Sequence, residues 1–146
     1  MGIHDTDPNT PNKEFAPEGW HVPTDVEWTT LEEHLIANGY NYDGTTTENK
    51  IAKAMASNTG WGTSTNTGAT GNDLSTNNSS GFNAFPDGYR LPNGLFGSGG
   101  TNAFFWGSTE NSTSYVWTHA LYSITSYLDR GSNAKRGGFS VRFVRD

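Results

Sequence analysis

The stretch from Ser57 to Phe82 is built almost entirely of Ser, Thr, Asn and Gly. It divides the chain, because apolar residues before it fall at helical spacing and those beyond Gly100 alternate. Such a composition ordinarily marks a linker. Here Trp61, Leu74, Phe82 and Phe85 punctuate it, which predicts a long packed loop anchored by large side chains. Only 32% of residues are hydrophobic while 13% are aromatic, so a few rings must cover most of the core.

At 146 residues the chain has the length of one domain. The polar start, MGIHDTDPNTPNKE, reads as a flexible segment over residues 1–14 rather than a signal peptide, leaving 15–146 as the domain. In HVPTDVEWTTLEEHLIANG, Thr24 and Glu27 have the spacing of a capping box. Trp28, Leu31 and Leu35 follow on one helical face, and Gly39 suits the stop. TENKIAKAMAS predicts a second, shorter helix starting near Thr45 or Thr47, with Ile51 and Met55 inward. AFFWGS, YVWTHALY and FSVRFVRD have strand periodicity, and in the last of these Phe139, Val141 and Phe143 form the buried face. Two helices, a long ordered loop and a late antiparallel sheet make the fold class α+β.

Several functions are disfavoured at this level. A net charge of −6 argues against nucleic acid and anionic membranes as partners. No apolar run is long enough for membrane insertion. The absence of cysteine excludes disulfides, thiolate metal sites and cysteine nucleophiles. His4, His21, His34 and His119 show no metal-ligand spacing, and no GxSxG elbow is present, so the chain reads as a non-enzyme without a cofactor. Oxygen ligands for a structural calcium ion are available in Asn72, Asp73, Asp87, Glu110 and Asn111, although Asn and Asp in turns usually cap their own backbone. Glu110 is expected to brace the turn after the Trp106 strand.

The segment most suited to face a partner is 113–136. Trp117, His119 and Leu121 alternate with Thr118, Ala120 and Tyr122, and placing Trp117 and Leu121 in the core points the second set outward. Tyr127, Asp129, Arg130, Asn133 and Arg136 follow on turn-rich backbone. Tyr, Ser, Asn and Arg on a rigid scaffold are the residues of adaptable binding faces. Thr118, Ala120, Tyr122, Tyr127, Asp129, Arg130, Asn133 and Arg136 are therefore the candidate ligand contacts, the ligand being a protein or a glycan.

Four motifs carry a resemblance: PEGWHVPTDVEW, GNDLSTNNSSGFNAFPDGYRLPNG, WGSTEN and GFSVRFVRD, in that order between about Phe15 and Asp146. They resemble the Fibrobacter succinogenes major paralogous domain family and, more distantly, formylglycine-generating enzymes. The resemblance implies a C-type-lectin-like fold whose chain ends pair side by side, the last strand lying near Phe15 to Val22. It also implies a monomeric ligand-binding module outside a bacterial cell, on its surface or on a phage. A passive structural or adhesive domain is the alternative. The enzymes' cysteine-dependent oxidoreductase activity does not carry over to a chain without cysteine. The Glu-Pro-Asn or Gln-Pro-Asp and Trp-Asn-Asp motifs of calcium-dependent sugar-binding lectins do not occur. The family's terminal cysteine pair corresponds to Ala16 and Phe143, which implies that the Phe143 ring fills space over Ala16. Similar domains are variable proteins of diversity-generating retroelements, whose mutagenised stretch would fall at 113–136.

Overall fold

The computed structural model describes residues 15–146, so the segment read as flexible, 1–14, lies outside the described residues. The first strand, β1 (Trp20–His21), leads into helix α1 (Asp25–Ala37). Its N-terminus is the expected capping box: Glu27 N donates to Thr24 Oγ1 at 3.2 Å, and Thr24 N donates to the Glu27 carboxylate at 2.8 Å. Such a cap contributes about 1 kcal/mol. Trp28 and Leu35 are buried, Leu31 packs beside them, and Gly39 takes the left-handed φ of +77° just beyond the cap.

The second helix, α2 (Ala52–Met55), is only one turn long and starts later than Thr45 or Thr47. Local side-chain bonds win over helix there. Asn41 Nδ2 donates to the carbonyls of Thr47 and Glu48 and its Oδ1 accepts from Lys50 N, which fixes residues 41–50 as a loop. Ile51 and Met55 are fully buried, as their spacing requires.

The long polar stretch is ordered against the rest of the protein. Trp61 is buried and its indole N–H donates to Ala84 O at 3.2 Å, while Leu74 and Phe82 pack on the core. Phe85 is not an anchor, being 46% exposed. The backbone supplies the rest: Gly71 N donates to Ser123 O at 2.8 Å and Thr70 N to Thr125 O at 3.2 Å. A Cβ at Gly71 would collide with the carbonyl oxygens of Gly62 and Ser123, so the approach needs glycine. Lys53 is almost fully buried, and its ammonium donates to the carbonyls of Asn72 and, at 3.0 Å, Asp73.

A short hairpin follows, β2 (Tyr89–Arg90) with β3 (Phe96–Gly97). The main sheet is antiparallel, with the order β4 (Asn102–Glu110), β5 (Tyr115–Tyr122), β6 (Asp129–Ala134). Its register places Phe105 opposite His119, and Phe104 opposite Ala120. Ala103, Phe105, His119 and Leu121 therefore share the face toward α1, where Trp28 stacks on His119 at 4.7 Å and tilts against Phe105 at 5.7 Å. Chain ends pair as expected, Trp20 opposite Arg145 and His21 opposite Val144 in β7 (Val144–Arg145).

The closing strand is much shorter than its alternation predicts. Residues 138–145 change partner as they run: Gly138 bridges Arg90 antiparallel, Ser140 bridges Phe105 parallel, and only then does β7 meet β1. Phe143 is 36% exposed, and its ring lies 5.8 Å from that of Phe15. It caps the surface of the terminal pair rather than filling a core position.

Candidate functional site

The second face of the main sheet is the one that carries Thr118, Ala120 and Tyr122. Phe104 and Trp106 of β4 project onto it, opposite Ala120 and Thr118 of β5. Phe139 packs over both rings, at 5.2 Å from Phe104 and 4.5 Å from Trp106. Tyr89 and Tyr122 meet Phe104 edge-on from either side, at 5.6 and 5.8 Å. This aromatic layer covers much of a face that a solvated antiparallel sheet would leave wet.

Thr118 and Ala120 are consequently only 1% and 2% exposed, and their outward placement from the alternation is corrected. Both faces of β5 are covered, so alternation separates two buried sides instead of a dry and a wet one. Thr118 donates to Gly131 O at 3.3 Å and accepts from Asn133 Nδ2 at 2.7 Å. Because the single hydroxyl proton is used on Gly131, the atom of Asn133 that faces Thr118 must be the nitrogen. Asn133 Oδ1 then remains an acceptor with no partner among the described residues.

The other candidates separate. Tyr122 is half-buried and donates to Asp129 Oδ2 at 3.3 Å. Burial, and then the Asp129 charge, push its phenol up to about 12, so it stays a donor at every physiological pH. Arg130 points to the opposite face, where its guanidinium grips both oxygens of Asp25 at 2.7 Å and lies 3.5 Å from the Trp117 ring centroid. That pair of hydrogen bonds holds the Asp25 carboxyl below its ordinary range. Arg130 therefore ties β6 to α1. Tyr127 and Arg136 are exposed.

Next to the aromatic layer lies a groove of about 430 Å³. Phe104 and Phe139 line it from the sheet side, Tyr89 to Pro92 from the β2 side, and Tyr115 with Ser132 to Ala134 from the β5–β6 side. Tyr115 is 47% exposed. Of the predicted contacts only Asn133 lines this groove, though Ala134 and Gly137, on either side of Lys135 and Arg136, line it too. Sequence reasoning missed Tyr89, Arg90, Phe104, Tyr115 and Phe139. They come from four separate segments, and Phe139 reads locally as an ordinary strand residue.

A second hollow of about 590 Å³ lies between α1, Phe82 and the C-terminal segment. Its guanidinium, Arg142, is committed to the carbonyls of Phe82 and Asn83 at 2.9 and 3.1 Å.

Three of the residues considered for calcium, Asn72, Asp73 and Glu110, are otherwise engaged. Asp73 accepts from Ser75 N and Oγ as the cap of a short 3₁₀ turn, Leu74–Thr76. The carbonyls of Asn72 and Asp73 face the Lys53 ammonium, and Glu110 pairs with Lys135 rather than bracing its own turn. Among the described residues no group of three or more His, Cys, Asp or Glu side chains is arranged to hold a metal ion. No helix among them is long and apolar enough to cross a membrane.

Comparison with curated proteins and with solved structures finds no match. The family model described as the Fibrobacter succinogenes major domain matches residues 5–145. The capping box at Thr24, the ring-anchored loop and the paired chain ends are thus the structural content of motifs spread over nearly the whole sequence, and the chain belongs to the Fibrobacter succinogenes major domain family.

Proposed function

We propose that this protein is a non-enzymatic ligand-binding module with a C-type-lectin-like fold, acting outside a bacterial cell or on a phage. The groove beside the aromatic layer carries the reading. It combines an apolar, ring-lined floor with a few convergent polar groups, the usual composition of a small-ligand site. The fold assignment is supported by the paired chain ends, the single long helix under the main sheet and the long loop region tied to the β5–β6 turn.

The contact set follows from burial. Tyr115, Asn133 and Arg90 can reach a ligand, whereas Thr118, Ala120 and Arg130 serve the interior and the α1 face. A glycan and peptide array against the wild type and Tyr115→Ala tests this. A hit lost in the variant, with the melting temperature unchanged, supports a binding module. A chain silent across the array is a spacer domain instead.

The same division bears on variability by a diversity-generating retroelement. If a near-copy template exists in neighbouring DNA, its variable codons should include 115 and 133. Those for the buried residues 118–121 should be spared, since variation there acts on the core. Variation spread evenly over 113–136 contradicts the assignment of the face.

A further inference from the structure

We infer that the groove accepts a carboxylate-bearing sugar unit, such as a uronic acid in an anionic polysaccharide; the inference rests on the proposed ligand site and narrows its chemistry. Three observations converge on it. Arg90 lines the groove, is exposed, and has no ion pair or side-chain hydrogen bond among the described residues. Its stem lies along Gly138, where an added Cβ would come within 3.1 Å of Arg90 Cβ, and its Nη2 reaches the turn at Gly94. Arg130 and Arg142, by contrast, are engaged within the protein, by the Asp25 carboxylate and by the carbonyls of Phe82 and Asn83. A guanidinium left open at the edge of an aromatic groove, in a chain of net charge −6, is a local exception to the protein's own field. Its planar fork matches a carboxylate in two-point contact.

The second observation is the shape of the lining. Rings from Tyr89, Phe104, Tyr115 and Phe139 offer apolar surfaces to the C–H faces of a pyranose, while Asn133 Oδ1 is an unused acceptor for a hydroxyl. Size is the third. A volume of about 430 Å³ suits one end of an oligosaccharide. A protein ligand would need roughly 800 Å² of matching surface on each side. Arg136, exposed and also without a partner among the described residues, is the sequence neighbour of the lining residue Gly137.

The full chain is titrated by NMR with trigalacturonate, its methyl ester and a hexaglutamate peptide, in the wild type, Arg90→Gln and Tyr115→Ala. Both substitutions are at half-exposed or exposed positions, and unchanged circular dichroism melts verify folding. The expected result is saturable binding of trigalacturonate, about tenfold weaker binding of the ester, and about tenfold loss for the acid alone in Arg90→Gln. Tyr115→Ala should weaken both sugars. Equal binding of acid and ester, both lost in Tyr115→Ala, overturns the carboxylate inference and leaves the groove a ligand site. Binding indifferent to Tyr115→Ala overturns the groove itself. Tighter binding of hexaglutamate overturns the sugar in favour of an acidic peptide, and absence of binding by every probe at millimolar concentration overturns the inference outright.

Discussion

His21 Nδ1 lies 2.8 Å from Asp146 Oδ1, joining residues 125 positions apart. Its Nε2 lies 2.8 Å from Glu27 Oε1, so one imidazole ties β1 to the C-terminal segment and to the α1 cap. A neutral imidazole has one N–H, and two carboxylate partners require both nitrogens to donate. Burial opposes the charge, but the bonds to Asp146 and then Glu27 outweigh it and hold the His21 pKa above its ordinary 6.5. A raised folded-state pKa means that this stabilisation is fully present below about pH 6.5 and is lost as pH rises through the folded value. Urea midpoints should therefore fall as the pH rises above about 6.5. His21→Asn should lower the midpoint at pH 6 and flatten that decline. An identical alkaline slope in the variant would show that the clasp does not depend on the proton.

His119 gives the opposite slope. Burial pushes it down to about 4, against the pull of Asp25, whose Oδ1 is 3.4 Å away. Both ring nitrogens are buried without a hydrogen-bond partner, and the ring stacks on Trp28. The folded protein therefore holds a neutral imidazole where the unfolded chain takes a proton below about 6.5. Stability should fall as pH drops from about 6.5 to 4, by at most roughly 3 kcal/mol over that interval. Asp25 and Glu27, with lowered pKa values, lose their contributions only further into acid. His119→Phe preserves a ring against Trp28 and removes the titration, so its midpoint should be nearly flat between pH 6.5 and 4.5. A wild-type slope in that variant assigns the acid sensitivity elsewhere.

The polar loop should behave as part of the core. Gly71→Ala forces a methyl group onto two backbone carbonyls, and a loss of about 2–4 kcal/mol is expected. Gly81→Ala, at φ +76° but with open space around it, should cost about 1 kcal/mol. Amide exchange provides an independent reading: Thr70 and Gly71, bonded to Thr125 and Ser123, should exchange as slowly as the main sheet. Fast exchange at both amides would return the segment to the status of a linker.

The two phenylalanines that sequence periodicity treats alike should separate. Phe105 is 3% exposed and meets Trp28 and Phe82, so Phe105→Ala should cost about 3–5 kcal/mol. Phe143 is 36% exposed with Phe15 as its ring partner, and Phe143→Ala should cost about 1 kcal/mol. Thermal melts of both variants check this. A Phe143→Ala loss equal to that of Phe105→Ala would place the terminal pair in the core after all.

What was legible in the sequence was local. Thr24 with Glu27, and Trp28 with Leu35, lie within one helix and announce themselves by spacing. The pairing of the chain ends was legible from the resemblance alone, since no local pattern relates Trp20 to Arg145. Periodicity failed where burial depends on what covers a face. Thr118 and Ala120 read as outward, but Phe139, more than fifteen residues later, closes over the rings beside them. Phe139 to Phe143 read as one strand, but Gly138, Ser140 and Val144 in and around it each pair with a different segment. The groove was illegible for the same reason, since Tyr89, Phe104, Tyr115 and Phe139 meet only after the sheet has formed.

Lys53 gives the polar loop a property that its composition hides. Carbonyls converging like those of Asn72 and Asp73 are a common seat for a dissolved ion, whose occupancy rises and falls with its concentration. Here the positive charge is covalently attached to the buried turn α2 and cannot be diluted, chelated or exchanged for a different metal. The loop's order is thereby uncoupled from the ionic content of its surroundings.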